Sequence, residues 1–124
     1  MKEIELSGKR FPVLFSVNVV EQVQKRYGNV SCLSEKLSDY AEIKWVLAQT
    51  INAGIEYHAY MDNSPARCLT PDDVGAIMEM KDFQAAVDTI VEALEESLGT
   101  PKNAIAGEVS KIAANLTVQK ATIS

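Results

Sequence analysis

The sequence predicts an α+β chain that is mainly α, an N-terminal β-hairpin packed on a bundle of about four to five helices. Three observations carry this. The first residues alternate apolar and polar, the following ones recur with a helical period, and Leu69-Thr70-Pro71-Asp72-Asp73 is an unambiguous helix start. In the first segment Ile4 and Leu6 share one face and Glu3 and Glu5 the other. Ser7-Gly8-Lys9-Arg10 is turn chemistry, after which Phe11, Val13 and Phe15 alternate with Pro12, Leu14 and Ser16. Pro12 cannot donate to a ladder, which places it on an edge strand. A lone hairpin is marginal in water, so it must pack on helices or be completed by another chain.

From Ser16 the period becomes helical. Ser16 is the expected N-cap, Val17, Val20, Val23 and Tyr27 form the apolar stripe, and Gly28 is the stop. Residues 29–34 read as a loop. A long helix is expected next, capped at Ser34 or Ser38 and running to about residue 61. Its stripe is Tyr40, Ile43, Leu47, Ile51, Gly54, His58 and Met61, widened by Val46 and Ile55. Residues 62–68 are a polar connection. Thr70 then caps a short helix over 71–80 that buries Val74, Ile77 and Met78, with Pro71 at its first position and Leu69 as the staple. A closing helix over 81–98 places Phe83, Val87, Ile90, Val91, Leu94 and Leu98 on one face, and Gly99 with Pro101 ends it. Residues 1–100 thus form a single globular domain. Residues 101–124 read as a weakly helical or flexible tail, with Ile105, Val109, Ile112 and Leu116 at helical spacing.

Composition narrows the function. The 124 residues carry 12 basic and 17 acidic side chains, a net charge of −5 with the one histidine neutral. Such a balance disfavours a nucleic-acid or anionic-membrane surface. Cys32 and Cys68 are too few for a disulfide framework or a four-thiolate zinc site. The first residues lack a signal-peptide core, and the longest apolar run, residues 45–48, is far short of the roughly 20 needed to span a bilayer. A cytoplasmic, non-enzymatic protein without cofactor or metal is expected.

Each chemical motif has a plainer reading. Gly8-Lys9-Arg10 lacks the second glycine of a phosphate loop and reads as a hairpin turn. His58 and Asp62 stand four apart, but two ligands are not a site, and His58 on the core stripe reads as a packed histidine. Neither cysteine has an evident base. The two helices after Leu69 suggest a helix-turn-helix, the reading of a small regulatory DNA-binding protein of a mobile element. The second of them, however, presents Asp82, Asp88, Glu92, Glu95 and Glu96, which repel DNA.

Candidate partner contacts are therefore surface residues. Trp45 falls on a sector with Gln49, Asn52 and Glu56, either an interface residue or part of a helix buried all round. Pro12 and Leu14 lie on the hairpin edge, and self-association is expected through this edge or a helix face. Glu92, Glu95 and Glu96 crowd a helix C-terminus, where the macrodipole disfavours anions; they form either an acidic docking face or a solvated surface.

The order of these pieces carries a resemblance. A hairpin around Gly8-Lys9 precedes an amphipathic helix ending in Arg26-Tyr27-Gly28. A long helix follows with Trp45-Val46-Leu47-Ala48-Gln49-Thr50-Ile51-Asn52-Ala53-Gly54, then Leu69-Thr70-Pro71-Asp72-Asp73-Val74 and a closing helix ending in Leu98-Gly99. Over residues 1–100 this resembles the tail assembly chaperones of long-tailed bacteriophages and prophages. The resemblance implies a small, acidic, non-enzymatic protein of the bacterial host cytoplasm. Such a protein binds the tape-measure protein, keeps its helical hydrophobic segments soluble, and helps recruit tail-tube subunits. It also implies absence from the finished virion and, for many such genes, a longer product made by ribosomal frameshifting. The family has no active-site motif, so no residue-level site transfers.

Overall fold

The computed structural model describes residues 1–98, so the expectations for residues 99–124 lie outside the described residues. The alternating segment folds as β1 (Lys2–Leu6) and β2 (Lys9–Val13), antiparallel, with Leu6 opposite Lys9, Ile4 opposite Phe11 and Lys2 opposite Val13. The two-residue turn places Ser7 at φ 52° and Gly8 at φ 80°, the two positive values that suit a right-handed hairpin twist. Ser7 Oγ donates to the Ile77 carbonyl at 2.7 Å, tying the hairpin tip to a distant helix end. Ile4, Leu6, Phe11 and Val13 are buried on one face of the hairpin, and Phe15 follows them into the core.

Helix α1 (Val17–Tyr27) starts at Ser16, whose Oγ accepts from the Val19 N–H, and ends at Gly28 with φ 83°. Its stripe differs from the expected one. Val19 and Val23 are buried, whereas Val17 is 85% exposed. Val19, Val23 and Tyr27 recur every four residues along the face turned to the core, and Val17 lies across from them.

Residues 29–34 are not simply a loop. A 3₁₀ turn (Val30–Cys32) runs into the short helix α2 (Leu33–Lys36), because Val30, Leu33 and Leu37, spaced by three and four, are all buried. The long helix α3 (Tyr40–Asp62) is capped by Asp39 rather than Ser34 or Ser38. The Asp39 carboxylate accepts from the Ala41 N–H at 2.9 Å, and Ser38 Oγ instead donates back to the Glu35 carbonyl.

The first half of α3 is the centre of the fold. Ile43, Val46, Leu47, Ala48, Thr50, Ile51, Ala53 and Gly54 are buried, and the Thr50 hydroxyl is satisfied by the Val46 and Leu47 carbonyls. The second half departs from the expected stripe: His58 is exposed and Met61 is 61% exposed. No Val, Ile or Leu follows Ile55 in this helix, so its last two turns have no aliphatic anchor and project past the core. At the other end Tyr40 is also largely exposed, although its ring meets Phe83 edge-on at 5.2 Å.

Helix α4 (Pro71–Ile77) is capped by Thr70 as expected, and the structure adds a reciprocal capping box: Asp73 N–H donates to Thr70 Oγ1 at 3.0 Å and Thr70 N–H to Asp73 Oδ2 at 2.9 Å. Val74 is buried, while Ile77 and Met78 are half-buried. A 3₁₀ turn (Met80–Asp82) leads into α5 (Phe83–Leu98), which packs on β1 and α3. Ala86, Ile90, Ala93 and Leu94 are its buried residues, with Phe83, Val87, Val91 and Leu98 flanking them half-buried. Among the described residues no helix is long and apolar enough to cross a membrane.

Candidate interaction surface

The hairpin edge is the first candidate to place. With ladder bonds at Leu6–Lys9 and Ile4–Phe11, the alternation points the backbone of residues 10, 12 and 14 away from β1. Helix α3 lies along that edge. Gly54 leaves room for the Pro12 ring, since a Cβ at position 54 would stand 2.7 Å from Pro12 Cβ, and the Leu14 N–H donates to the Thr50 carbonyl at 3.0 Å. The sequence left two ways to complete the hairpin, and α3 takes the edge at Pro12 and Leu14.

Trp45 is half-buried in a clasp between α1 and α3. Arg26 Nε donates to Glu42 Oε1 at 2.8 Å and its Nη2 to Oε2 at 3.3 Å, while the Tyr27 hydroxyl donates to Glu42 Oε1 at 2.7 Å. The same guanidinium stands 4.5 Å from the Trp45 ring centroid, and Tyr27 meets Trp45 edge-on at 5.8 Å. Hydrogen bonds from Arg26 and then Tyr27 hold the Glu42 carboxyl below the usual carboxylate range. Burial, reinforced by Glu42, pushes the Tyr27 phenol well above its ordinary value. The carboxylate has its donors and the indole face its cation, so this cluster fastens two helices.

The three glutamates do not form one face. Glu96 lies 3.8 Å from the Met1 amine and Glu92 4.0 Å from Lys2 Nζ, because α5 packs beside β1, whereas Glu95 is buried. Among the described residues no group of three His, Cys, Asp or Glu is placed to hold a metal. The turn at Gly8 is the hairpin turn, and Cys32 and Cys68 are free thiols. Burial and then the Glu56 carboxylate, which accepts from Cys68 Sγ at 3.8 Å, raise the Cys68 thiol and keep it protonated.

What the sequence did not single out is a groove of about 630 Å³ between β2, the outer half of α3 and residues 64–69. Phe11, Pro12, Ile55 and Leu69 supply apolar lining, and Lys9, Arg10, Arg67 and His58 supply the polar part. Its outer wall is pinned at both ends. Ser64 N–H donates to the Ala59 carbonyl at 2.9 Å, and Asn52 grips Leu69 with two bonds of 2.7 Å, Nδ2 donating to the carbonyl and Oδ1 accepting from the N–H. On the face of α3 away from Ile55, His58 and Ala59, its last turns expose Tyr57, Tyr60 and Met61, with Tyr60 86% exposed and Tyr57 edge-on to His58 at 5.6 Å. Residues 57, 60 and 61 adjoin by helical spacing. One sequence signal pointed here: after Ile55 aliphatics give way to Tyr-His-Ala-Tyr-Met. The groove itself joins residues some 50 positions apart, which no local pattern reveals.

No family model, curated protein or solved structure matches this chain.

Proposed function

We propose that this chain is a non-enzymatic adaptor that works by binding protein, a tail assembly chaperone as the resemblance implies. In that role it binds the tape-measure protein in the cytoplasm of a bacterial host, keeps its apolar helices soluble, and helps recruit tail-tube subunits. The observation that carries the reading is the outer end of α3, which holds Tyr57, Tyr60 and Met61 in solvent on one face and lines, with Ile55, His58 and Ala59 on the other, a groove whose walls are already held in place. Tyr, Met and Arg are enriched at protein interfaces, and two aromatic rings at a helix end offer contact area at low entropic cost. A shape held before binding avoids the ordering cost of association. The pieces behind the resemblance, hairpin, helix, long helix, capped helix and closing helix, occur in that sequence from β1 to α5, with the short α2 between the first helix and the long one.

The test is co-expression with the tape-measure protein of a neighbouring gene. It should move into the soluble fraction and co-purify with this chain, and Tyr60→Ala with Met61→Ala should reduce both by several-fold without changing the melting temperature. A tape-measure protein that stays insoluble and does not co-purify sinks the chaperone reading. Self-association belongs to the same proposal, through this helix end rather than the covered hairpin edge. Strictly monomeric elution at high micromolar concentration rejects that part.

A further inference from the structure

We infer that the groove between β2 and residues 64–69 seats an acidic peptide segment of the partner, one in which Asp or Glu flanks a large apolar side chain. This rests on the reading that the chain works by binding protein, and names the chemistry of what it binds.

Charge carries the argument. The chain has more acids than bases, yet no Asp or Glu lines this groove, while Lys9, Arg10, Arg67 and His58 do. Arg10 is already paired, 2.9 Å from Glu3 and 3.9 Å from Glu5. Lys9 and Arg67 have no carboxylate partner among the described residues; Lys9 Nζ stands 5.6 Å from the Phe11 ring centroid. Two unneutralised cations over an apolar floor match a ligand with anionic and apolar groups side by side. Phosphate alone would leave the apolar floor unused.

The groove is also built before anything binds. The Asn52 grip on Leu69 and the Ser64 bond to Ala59 fix one wall, and the Pro12–Gly54 contact with the Leu14 bond to Thr50 fixes the other. The chain's own residues 101–124 are a poor occupant, since they carry Lys102, Lys111 and Lys120 against Glu108 alone.

The probe is a fluorescein-labelled heptapeptide of alternating glutamate and leucine, titrated with the intact chain by fluorescence anisotropy. It should bind saturably, and its counterpart of alternating lysine and leucine should not. Arg67→Glu and Lys9→Glu should each weaken binding about tenfold, and more so at low salt. Lys81→Glu, an equal charge reversal outside the groove, should leave it unchanged. Circular dichroism melts confirm that the variants are folded. No saturation up to millimolar chain, equal binding of the lysine peptide, or equal loss with Lys81→Glu overturns the inference. Solubilisation of the tape-measure protein that survives Arg67→Glu overturns the groove as the partner's seat and leaves the chaperone reading standing. Glutamate-peptide binding without any solubilisation does the reverse.

Discussion

At the scale of single residues, Gly54 shows how one missing methyl positions a surface. A Cβ there would meet Pro12 Cβ at 2.7 Å, Cγ at 2.9 Å and the carbonyl carbon at 3.2 Å, and neither ring nor backbone swings aside. Gly54→Ala gains about 1 kcal/mol of helix propensity. It loses about 1 to 3 kcal/mol to overpacking, so net destabilisation is expected in urea titration. Adding Pro12→Gly, which removes both Cβ and Cγ, should recover part of the loss, the coupling of a direct contact. The sequence showed a glycine inside a helix, which marks a bend or a close crossing; which backbone crosses there is a tertiary matter. Cys68 offers a chemical readout. With its thiol raised by burial and Glu56, alkylation by iodoacetamide at pH 8 in a Cys32→Ser background should be slower than for a free cysteine. Glu56→Gln should speed it roughly threefold by removing the neighbouring charge.

Among the elements, α3 is two helices in energetic terms. Residues 43–54 supply the centre of the core, and residues 56–62 are exposed apart from half-buried Ala59. Amide hydrogen exchange should therefore be slowest around Leu47 and Ile51 and fast beyond Tyr57, where opening needs no core rupture. Uniform protection along α3 would contradict this. The N-terminus depends on Asp39, and Asp39→Ala should cost about 1 kcal/mol by loss of the bond to the Ala41 N–H. The period of α3 was legible over its first half because burial there follows the aliphatics. Extending the stripe to His58 and Met61 failed because helical periodicity reports a shared face, and only the extent of neighbouring elements decides how much of that face is covered. The same reasoning moves the stripe of α1 from Val17 to Val19.

For the molecule as a whole, the Arg26–Tyr27–Glu42–Trp45 clasp makes stability depend on pH at both ends. The Glu42 carboxyl lies below its unfolded value, so its contribution is present above about pH 4.3 and is lost as pH falls through the lower folded value. The Tyr27 phenol lies above its unfolded value, so its contribution is complete below about pH 10 and is lost as pH rises toward the higher folded value. Urea titrations across pH should show both declines. Tyr27→Phe should remove the alkaline one while lowering stability at neutral pH by about 1 kcal/mol, because it deletes one donor to Glu42. Trp45 was visible as an odd aromatic on a polar helix face, but the cation above it lies 19 residues earlier, on α1.

The sequence by itself determined the main elements and their order, the 3₁₀ turn and short α2 after α1 excepted. Strand alternation, the Ser16 and Thr70 caps and the Gly28 stop are local effects, set by backbone geometry and neighbouring side chains and so readable from neighbours. It also determined that the hairpin needs a cover. Only the tertiary structure decided that α3 is that cover, that Glu92 and Glu96 turn toward the N-terminal amine and Lys2, and that Lys9 and Arg67 share a groove. Those outcomes depend on contacts between residues distant in sequence. Their energies come from which surfaces meet, and periodicity records the faces without recording their partners.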